Sequence, residues 1–308
     1  MRSERFILEI RDIWPDSIEA VGAKGTGLGV SVLKILSQWM YRRAHRIVTV
    51  GAGYKQKLVE SGAAAAEKIS VIPNGIDADV FPSTTPNAEP GQNSRFVVSY
   101  VGTIGLAHGL EVVLRAADIL REEPAVHFMI VGDGAQRAAL EEQARRSGLH
   151  NVTFTGLLPK GEIPAALAGS GACLVHLRKT ELFRTVLPSK MFEAMAMGRP
   201  VLLGVAGHSR TVLEEANAGI AFDPEDANGL VAAIRELAAD PARALTLGNN
   251  GRRFVTEHYN RRDLAEIYIE LLRNERITPD EIPPTPPNSP PRERKSSSEM
   301  LTPLSRPV

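Results

Sequence analysis

The sequence predicts an α/β protein with two domains built on parallel sheets, of which the first is incomplete. Short apolar runs alternate with helical patterns along most of the chain, as parallel α/β units require. Most of these runs are apolar at nearly every position, which is typical of strands with helices on both faces. A polar, proline-rich stretch at residues 83–94 divides the pattern into three strands before it and about six after it.

Residues 1–82 are expected to form the first, partial domain. "RFILEI" predicts a strand, "VSVLKILSQWMYRRA" an amphipathic helix and "RIVTVG" a second strand. "YKQKLVESG" predicts a helix that stops at Gly62, and "KISVIPNGID" a third strand that runs into a turn. A doubly wound half normally opens with a glycine-rich strand-to-helix turn. Because none precedes Phe6, we expect this domain to be truncated at its start.

After the linker at 83–94, residues 95–258 are expected to form a complete second domain. Its strands are predicted at "RFVVSYVG", "VHFMIVGDG", "NVTFTG", "ACLVHLR", "PVLLG" and "GIAF". Helices are predicted at "HGLEVVLRAADIL", "AQRAALEEQARRSG", from Ser189, at "RTVLEEA", and at 225–239 and 242–258. A last helix within 259–275 is expected to cross back to the first domain. The proline-rich tail at 276–308 is expected to be disordered.

The composition excludes some classes of function. Lys and Arg number 36 and Asp and Glu also number 36, so nothing favours a nucleic-acid binder, and no such partner is expected. The one cysteine, Cys173, lies in an apolar run and is expected in the core, which fits a cytoplasmic protein without disulfides. No leader pattern opens the chain, and no apolar run approaches the ~20 residues of a membrane span. Any membrane contact would therefore be peripheral.

Glycines follow several predicted strands, at the edge where parallel sheets bind their ligands. In "YVGTIGLAHG", Gly102 ends a strand and Gly105 precedes a helix that opens near His108. The spacing does not match the dinucleotide-binding pattern G-x-G-x-x-G, which argues against a nicotinamide cofactor. Two glycines before a helix do permit close approach of a phosphate, although a tight turn explains either glycine alone. "VGDGAQ" is a similar turn, in which Asp133 is a candidate helix cap.

The segment "LPSKMFEAMAMGRP" contains the most specific pattern in the chain. Ser189 is a candidate N-cap of a helix that Gly198 closes, and Lys190 stands beside the free N–H groups of its first turn. A cation at a helix N-terminus is unfavourable unless an anion binds there, and a diphosphate would meet that condition. The two oxygens of Glu193 can accept both hydroxyls of a ribose. A capping box that joins Glu193 to the cap residue is the alternative.

These motifs, in this order, resemble the GT-B-fold glycosyltransferases of the large retaining group often called family 4. The similarity runs from Arg5 to about Asn274 and is carried by "VIPNGID", "YVGTIGLAHGLEVVLRAA", "MIVGDGAQR", "VTFTGLLPK" and "LPSKMFEAMAMGRPVL" followed by "AGI". "LEIRDIWPDSI" is similar to a subgroup that builds bacterial cell-surface polysaccharides. The resemblance implies two Rossmann-like domains and hexosyl transfer from a nucleotide-diphosphate sugar, which is a co-substrate, with no further cofactor.

The resemblance also implies roles for individual residues. Glu193 would bind the donor ribose, and Ser189 and Lys190 would hold the diphosphate with the helix N-terminus. The catalytic candidates are Arg184 and Lys190, and Arg184 would reach the diphosphate or the transferred sugar. The remaining candidates for nucleotide-sugar binding are Gly102 and Gly105 at the phosphates, Gly156 and Leu157 at the base, and Arg178 as a further cation.

Three departures from the family pattern stand out. Thr185 occupies the position eight residues before Glu193 where the family usually has a second glutamate. Thr103 and His108 replace the usual arginine and lysine of the first glycine loop. The family's N-terminal domain begins well before the position of Met1, so we expect strands that would carry the acceptor site to be missing from this sequence. No metal site is expected.

The acceptor implied by the family is a saccharide, free or lipid-linked. The helix at "VSVLKILSQWMYRRA" places Trp39 near Lys34 and Arg42, a pattern that suits the surface of an anionic bilayer. Ordinary docking of this helix on its own sheet is the alternative. Self-association through the incomplete first domain is also expected, because that domain would leave a sheet edge open. Two other functions stay open: a nucleotide-sugar epimerase, and a non-catalytic remnant that only binds a nucleotide sugar.

Overall fold

The computed structural model describes residues 6–13, 28–77, 79–81 and 95–273. The predictions for the linker at 83–94 and the tail at 276–308 lie outside these residues. The first module (6–77) contains, in order, β1 (Ile7–Ile10), α1 (Leu28–Arg43), β2 (Arg46–Thr49), α2 (Ala52–Glu60) and β3 (Ile69–Val71).

The second module (95–258) begins with β4 (Phe96–Val101), α3 (Glu111–Ile119), β5 (Val126–Val131), α4 (Arg137–Arg146), β6 (Val152–Gly156) and α5 (Ile163–Ala168). It continues with β7 (Ala172–His176), α6 (Ser189–Ala196), β8 (Val201–Gly204), α7 (His208–Ala216), β9 (Gly219–Ala221), α8 (Ala227–Ala239) and α9 (Pro241–His258). The final described helix is α10 (Arg261–Arg273).

Both sheets are parallel, which confirms the predicted fold class. The first sheet has the order β1-β2-β3 and the second the order β6-β5-β4-β7-β8-β9. In the second sheet the chain winds outward from β4 through β5 to β6, then restarts on the other side of β4 with β7. This reversal opens a crevice beyond the carboxyl ends of β4 and β7, the usual ligand position in such sheets. The residues after these two strands therefore belong to the candidate site.

The second sheet is covered on both faces by its own helices. One core contains Tyr100, Phe128 and Ile234, and the other contains Val175, Met191 and Leu203. Cys173 lies in the second of these cores, as predicted, and burial raises the pKa of its thiol to about 11. The cysteine is therefore a core residue and stays protonated at neutral pH.

The first sheet is covered from two distant parts of the chain. On one face α1 and α2 contribute Tyr41, Tyr54 and Leu58 to a small core. On the other face Leu271 of α10 packs against Val48 and Ile72. The last described helix thus completes the first module.

The chain crosses between the modules twice, and the two crossings lie side by side. The Ile76 N–H donates to the Tyr259 carbonyl at 2.7 Å, and the Arg261 N–H donates to the Ile76 carbonyl at 3.0 Å. Gly75 lies so close to Arg261 that a Cβ there would come within 2.7 Å of its Cα. The crossings are therefore bonded to each other just before α10 begins.

A second contact joins the modules through the loop between β7 and α6. Val186 of this loop packs against the core of the first module. Gly53 of α2 faces Thr185, and a Cβ on Gly53 would lie 2.7 Å from the Thr185 Cα. Glycine is required there for this approach.

Within the described ranges, no helix has the length and apolarity that crossing a membrane would demand.

Candidate functional site

The glycine turns after β4, β5 and β6 are bonded to one another through their backbones. The Gly102 N–H donates to the Val131 carbonyl at 2.9 Å, and the Gly132 N–H donates to the Gly156 carbonyl at 2.8 Å. All three glycines have positive φ: 139° at Gly102, 135° at Gly132 and 78° at Gly156. A Cβ on Gly132 would run into the Gly102 carbonyl. The three strand ends therefore form one continuous backbone surface that side chains cannot replace.

The turn after β5 is held differently from the prediction. The Asp133 carboxylate accepts the N–H of Gly134 at 2.8 Å, and the Ile104 N–H donates to the Asp133 carbonyl at 2.8 Å. Helix α4 begins only at Arg137, without a side-chain cap. The prediction that Asp133 caps this helix is therefore wrong, because its carboxylate is used within the turn before the helix starts.

Helix α6 begins one residue earlier than its predicted cap implies. Pro188 occupies the N-cap position, and no side chain makes a cap hydrogen bond. Ser189 is the first helical residue, so the prediction of Ser189 as N-cap is wrong, as is the capping box with Glu193. The rigid φ of Pro188 suits the entry to the helix, which moves Ser189 into the first turn. Gly198 has φ 65° just beyond the helix and ends it, as predicted.

Lys190 reaches from α6 to the residues that end β4. Its Nζ donates to the Tyr100 hydroxyl at 2.5 Å and lies 4.2 Å from the centroid of that ring. A Cβ on Gly102 would overlap the Lys190 side chain, and the positive φ of Gly102 favours glycine there. Burial lowers the pKa of Lys190 to about 7, against a smaller opposing effect of Glu193. The structure thus brings Lys190 to Gly102 and the first glycine loop (residues 102–108), beside the N-terminus of α6.

Ser189 and Glu193 line a cleft of about 450 Å³ between the modules, here called cavity 1. Asn74 and Arg261 line it from the two crossing segments, and Phe192 belongs to its apolar wall. Burial raises the pKa of the Glu193 carboxyl, and Lys190 and Arg261 oppose this shift. The carboxylate is half-buried, with hydrogen-bonding groups around it and an apolar surface beside it, a setting suited to the hydroxyls of a sugar ring.

Arg184 lies elsewhere, in a cleft of about 580 Å³ here called cavity 2. Helix α2 forms one side of this cleft, and Thr185 and His208 contribute to the other. The Arg184 guanidinium is exposed and makes an ion pair with Glu181 at 3.6 Å. The Thr185 hydroxyl donates to the Leu182 carbonyl at 2.7 Å. The two catalytic candidates, Arg184 and Lys190, are thus held by different partners.

Arg178 is occupied by partners within the second module. Its Nε donates to the Leu106 carbonyl at 2.7 Å, and its guanidinium pairs with Glu111 at 2.7 Å and Glu225 at 3.1 Å. A diphosphate would have to compete with two carboxylates for this cation. Through these contacts Arg178 links the turn Leu106–His108 to Glu225. Its role in binding a nucleotide stays a prediction.

Two histidines, the buried His176 and the half-buried His108, hold the same turn. His176 at the end of β7 donates from Nδ1 to the His108 carbonyl at 2.6 Å and accepts the Glu225 N–H on Nε2 at 2.9 Å. One ring nitrogen donates and the other accepts, so this imidazole is neutral. Burial and the Lys190 charge lower the pKa of His108 to about 3. His108 therefore does not replace the charge of the family's lysine, and Lys190 is a cation that lies against Gly102 of the first glycine loop.

Gly156 and Leu157, the candidates for the base, follow β6. Leu157 is 74% exposed, and a Cβ on Gly156 would lie 3.1 Å from Nη1 of Arg137. Arg137 is paired with Glu141 at 2.7 Å. Sequence reasoning missed Arg137 and His176, and the signal for His176 was a single polar residue at the end of a fully apolar strand.

Among the described residues, no three His, Cys, Asp or Glu side chains form a group that could hold a metal ion.

Two family models match separate parts of the chain. One describes group 1 glycosyl transferases and matches residues 95–240, and the other describes glycosyltransferase family 4 and matches residues 23–80. The matches correspond to the second and first modules.

Curated proteins of similar sequence are also named as glycosyltransferases. WcaI of Escherichia coli K12, a glycosyl transferase named for colanic acid biosynthesis, is 31% identical over 245 residues, or 75% of this chain and 60% of WcaI. A GDP-mannose-dependent mannosyltransferase of Mycolicibacterium smegmatis, named for its phosphatidylinositol monomannoside substrate, is 28% identical over 240 residues, or 75% of this chain and 63% of that protein. The chain spans about three fifths of the length of such relatives.

The fold is shared with HepE of Anabaena, which was crystallised with UDP and glucose. The structures agree with a TM-score of 0.73 over 88% of this chain and 72% of HepE, at 20% identity. At that identity the likeness concerns the fold alone. The family matches, the relatives and the two parallel sheets lead to one conclusion: this chain belongs to the group 1, family 4 glycosyltransferases of the GT-B fold.

Proposed function

We propose that this protein transfers a sugar from a nucleotide-diphosphate donor to a saccharide acceptor, with retention of the anomeric configuration. The observation that carries the proposal is the position of Lys190 beside the N-terminus of α6 and against Gly102. Unpaired N–H groups, a cation and a close backbone surface are together the features that bind a diphosphate. HepE, whose fold is similar, was crystallised with UDP.

In this mechanism the protein stabilises the departing nucleotide diphosphate. The bond from the anomeric carbon to the diphosphate oxygen breaks, and an acceptor hydroxyl forms the new bond on the same face and gives its proton to the departing diphosphate oxygen. Negative charge grows on the diphosphate, where Lys190 and the N–H groups of α6 offset it. Glu193, in cavity 1, accepts hydrogen bonds from the two ribose hydroxyls and fixes the donor.

The acceptor we propose is a lipid-linked saccharide at the cytoplasmic face of a membrane. Two relatives are named for colanic acid biosynthesis and for a phosphatidylinositol monomannoside. Helix α1 exposes Val32, Ile35, Leu36 and Trp39, which share one helical face, and the Arg43 guanidinium lies 5.8 Å from the Trp39 ring. An apolar stripe with a neighbouring cation is the pattern of a helix lying in a bilayer interface.

Co-sedimentation with anionic and zwitterionic vesicles tests this contact. We expect binding to the anionic vesicles, and Trp39→Ser should reduce it. A concentration-dependent dimer that forms without vesicles and is lost in Trp39→Ser would assign the stripe to self-association instead.

Titration calorimetry on the full chain tests the proposed donor site. A nucleoside, its diphosphate and its diphosphate sugar serve as ligands for the wild type, Lys190→Met and the matched variant Arg184→Met. We expect Lys190→Met to weaken the two phosphorylated ligands and to leave the nucleoside nearly unchanged. If only Arg184→Met lost affinity for the phosphorylated ligands, the cation that binds the phosphates would be Arg184 in cavity 2. If Lys190→Met lost affinity equally for the nucleoside and the diphosphate, Lys190 would be excluded as the phosphate ligand.

Turnover needs a separate assay, with a radiolabelled donor and extracted lipid acceptor. Label that enters the lipid fraction supports transfer. Donor binding without any transfer would favour the non-catalytic remnant. The epimerase alternative is not favoured by the family matches or by the relatives.

A further inference from the structure

Tyr100 lies at the centre of the proposed diphosphate site without facing solvent. It is a residue of β4, the strand at the reversal of the second sheet, and its side chain is fully buried. Its hydroxyl donates to the Thr103 carbonyl at 2.5 Å and accepts from Lys190 Nζ at 2.5 Å. Tyr100 therefore touches both the first glycine loop and the lysine.

The hydrogen-bond inventory of a phenol makes this arrangement directional. A tyrosine hydroxyl has one proton, which the Thr103 carbonyl takes, so its oxygen can only accept from Lys190. Burial raises the pKa of Tyr100 far above its ordinary value, which keeps that proton in place at neutral pH. The ring adds a cation–π contact below the ammonium, with 4.2 Å between Nζ and the centroid. The two remaining N–H groups of the ammonium can point elsewhere.

The lysine and the loop come from distant parts of the chain. Tyr100 and Lys190 are 90 residues apart, whereas Tyr100 and Thr103 are neighbours across the end of β4. A long lysine side chain has high rotamer entropy, and ordering it at the moment of binding would cost affinity. Contact with Tyr100 orders it beforehand.

We propose that Tyr100 is a positioning residue, which acts through Lys190 and holds its ammonium in register with the first glycine loop so that a diphosphate meets both at once. The inference rests on the proposed function. Tyr100 itself does not touch the ligand.

The first test is Tyr100→Phe, which keeps the ring and removes the hydroxyl. We expect about a tenfold loss of affinity for the nucleoside diphosphate, which is the scale of one hydrogen bond to a charged group, and no change for the nucleoside. The matched control is Tyr259→Phe. Tyr259 is also a fully buried tyrosine, and its hydroxyl has no hydrogen-bond partner among the described residues, so both affinities should stay unchanged.

A double-mutant cycle with Lys190→Met separates positioning from a general structural role. If Tyr100 acts through Lys190, adding Tyr100→Phe to Lys190→Met should lower the diphosphate affinity by less than about twofold. A full tenfold loss in that background would overturn the inference. Equal losses for nucleoside and diphosphate in the single variant would overturn it too, because they would report damage to the fold.

The pH profile is the third readout. The affinity for a nucleotide-diphosphate sugar should fall above the pH at which Lys190 loses its proton, and Tyr100→Phe should move that midpoint lower, because it removes an acceptor for the ammonium. An unchanged midpoint would contradict the inference. A wild-type chain that binds no nucleotide diphosphate would instead refute the proposed function, whereas a binding wild type with an equally binding Tyr100→Phe would refute only the role of Tyr100.

Discussion

The two modules differ in where the cover of their sheets comes from. The six-stranded sheet has a core on each face, and most of the residues in both cores lie between 98 and 259. The three-stranded sheet has α1 and α2 on one face, but Leu271 of α10 packs on the other. A sheet with local helices on both faces can be stable by itself, whereas the first sheet depends on a helix that follows the whole second module.

The proposed binding groups are also divided between the two modules. The candidate diphosphate and base groups lie in the second module, around Gly102, Gly156 and Lys190. Cavity 1 joins the modules, with Glu193 on one side and Asn74 on the other. We therefore expect donor binding and first-module stability to respond to different substitutions, and the following predictions test that separation.

The largest effect is expected for Glu193→Ala on donor binding. Two hydrogen bonds to a charged acceptor are removed, each worth roughly 1.5–3 kcal/mol. Calorimetry with nucleoside and nucleotide diphosphate should show a large loss for both ligands, because both carry the ribose. A melting curve run in parallel should change little. Unchanged affinity with a lowered melting temperature would exclude the ribose role and would make Glu193 a structural residue.

The converse effect is expected for Leu271→Ala, which should weaken the first module. Leu271 is 6% exposed against Val48 and Ile72, and truncation of a buried leucine costs roughly 2–5 kcal/mol. Hydrogen exchange should show loss of protection in β1, β2 and β3, with the second sheet unaffected and the affinity for nucleotide diphosphate retained.

The neighbouring residue offers a matched control for this experiment. Leu272 is 47% exposed, so Leu272→Ala should change the free energy of unfolding by no more than about 0.5 kcal/mol. If Leu271→Ala destabilised both sheets together, the modules would form one cooperative unit and the comparison would fail.

A smaller effect is expected from pH, and it should belong to the second module alone. Burial lowers the pKa of Lys190 from 10.5 to about 7, so the ammonium is lost as pH rises through 7. Affinity for a nucleotide-diphosphate sugar should then fall by up to about tenfold per pH unit above 7. The sugar diphosphate suits this test because its phosphates do not titrate there, and Lys190→Met should abolish the dependence.

The same group gives a stability prediction of defined sign. Between pH 7 and 10.5 the unfolded chain binds more protons at Lys190 than the folded chain does. The contribution of Lys190 to stability therefore becomes more favourable as pH rises through this window. A wild-type stability that does not rise relative to Lys190→Met in this window would contradict the lowered pKa.

The smallest effect is expected for Tyr259→Phe, at the crossing between the modules. The Tyr259 hydroxyl is buried with no hydrogen-bond partner among the described residues, and its ring stacks on Phe192 at 4.2 Å. Removing an unpaired buried hydroxyl should leave stability unchanged or raise it by about 1 kcal/mol. Chemical denaturation measures this, and a loss above about 1 kcal/mol would show that the hydroxyl has a partner that joins the two modules.

The strands and helices were predictable because their signals are local. Apolar runs mark the strands, and residues such as Gly62 and Gly198 mark helix ends, where both adopt positive φ. The cap assignments of Ser189 and Asp133 were wrong because a cap is one particular residue. The pattern of apolar and polar residues does not locate a helix start to a single position. The closeness of Lys190 to Gly102 was implied by the family resemblance and not by spacing.

Other features of the site depend on partners that are far apart in the sequence. Arg178 is 67 residues from Glu111 and 47 from Glu225, so no local pattern shows that its charge is already satisfied. Tyr100 read as an ordinary strand residue, because its role depends on a lysine 90 residues away. The sequence thus predicted which residues have polar or charged groups that suit a nucleotide sugar. The fold determines which of these groups are already paired within the protein and which are available to a ligand.

The late arrival of α10 also has a consequence during synthesis on the ribosome. Arg261, at the start of that helix, follows Gly75 by 186 residues. At 5–20 residues per second, roughly 10–40 s pass between the emergence of β3 and that of the helix that covers it. Throughout this interval Val48 of β2 and Ile72, which follows β3, have no Leu271 to pack against. A chaperone that binds apolar segments would therefore meet the first module well before its own chain can close it.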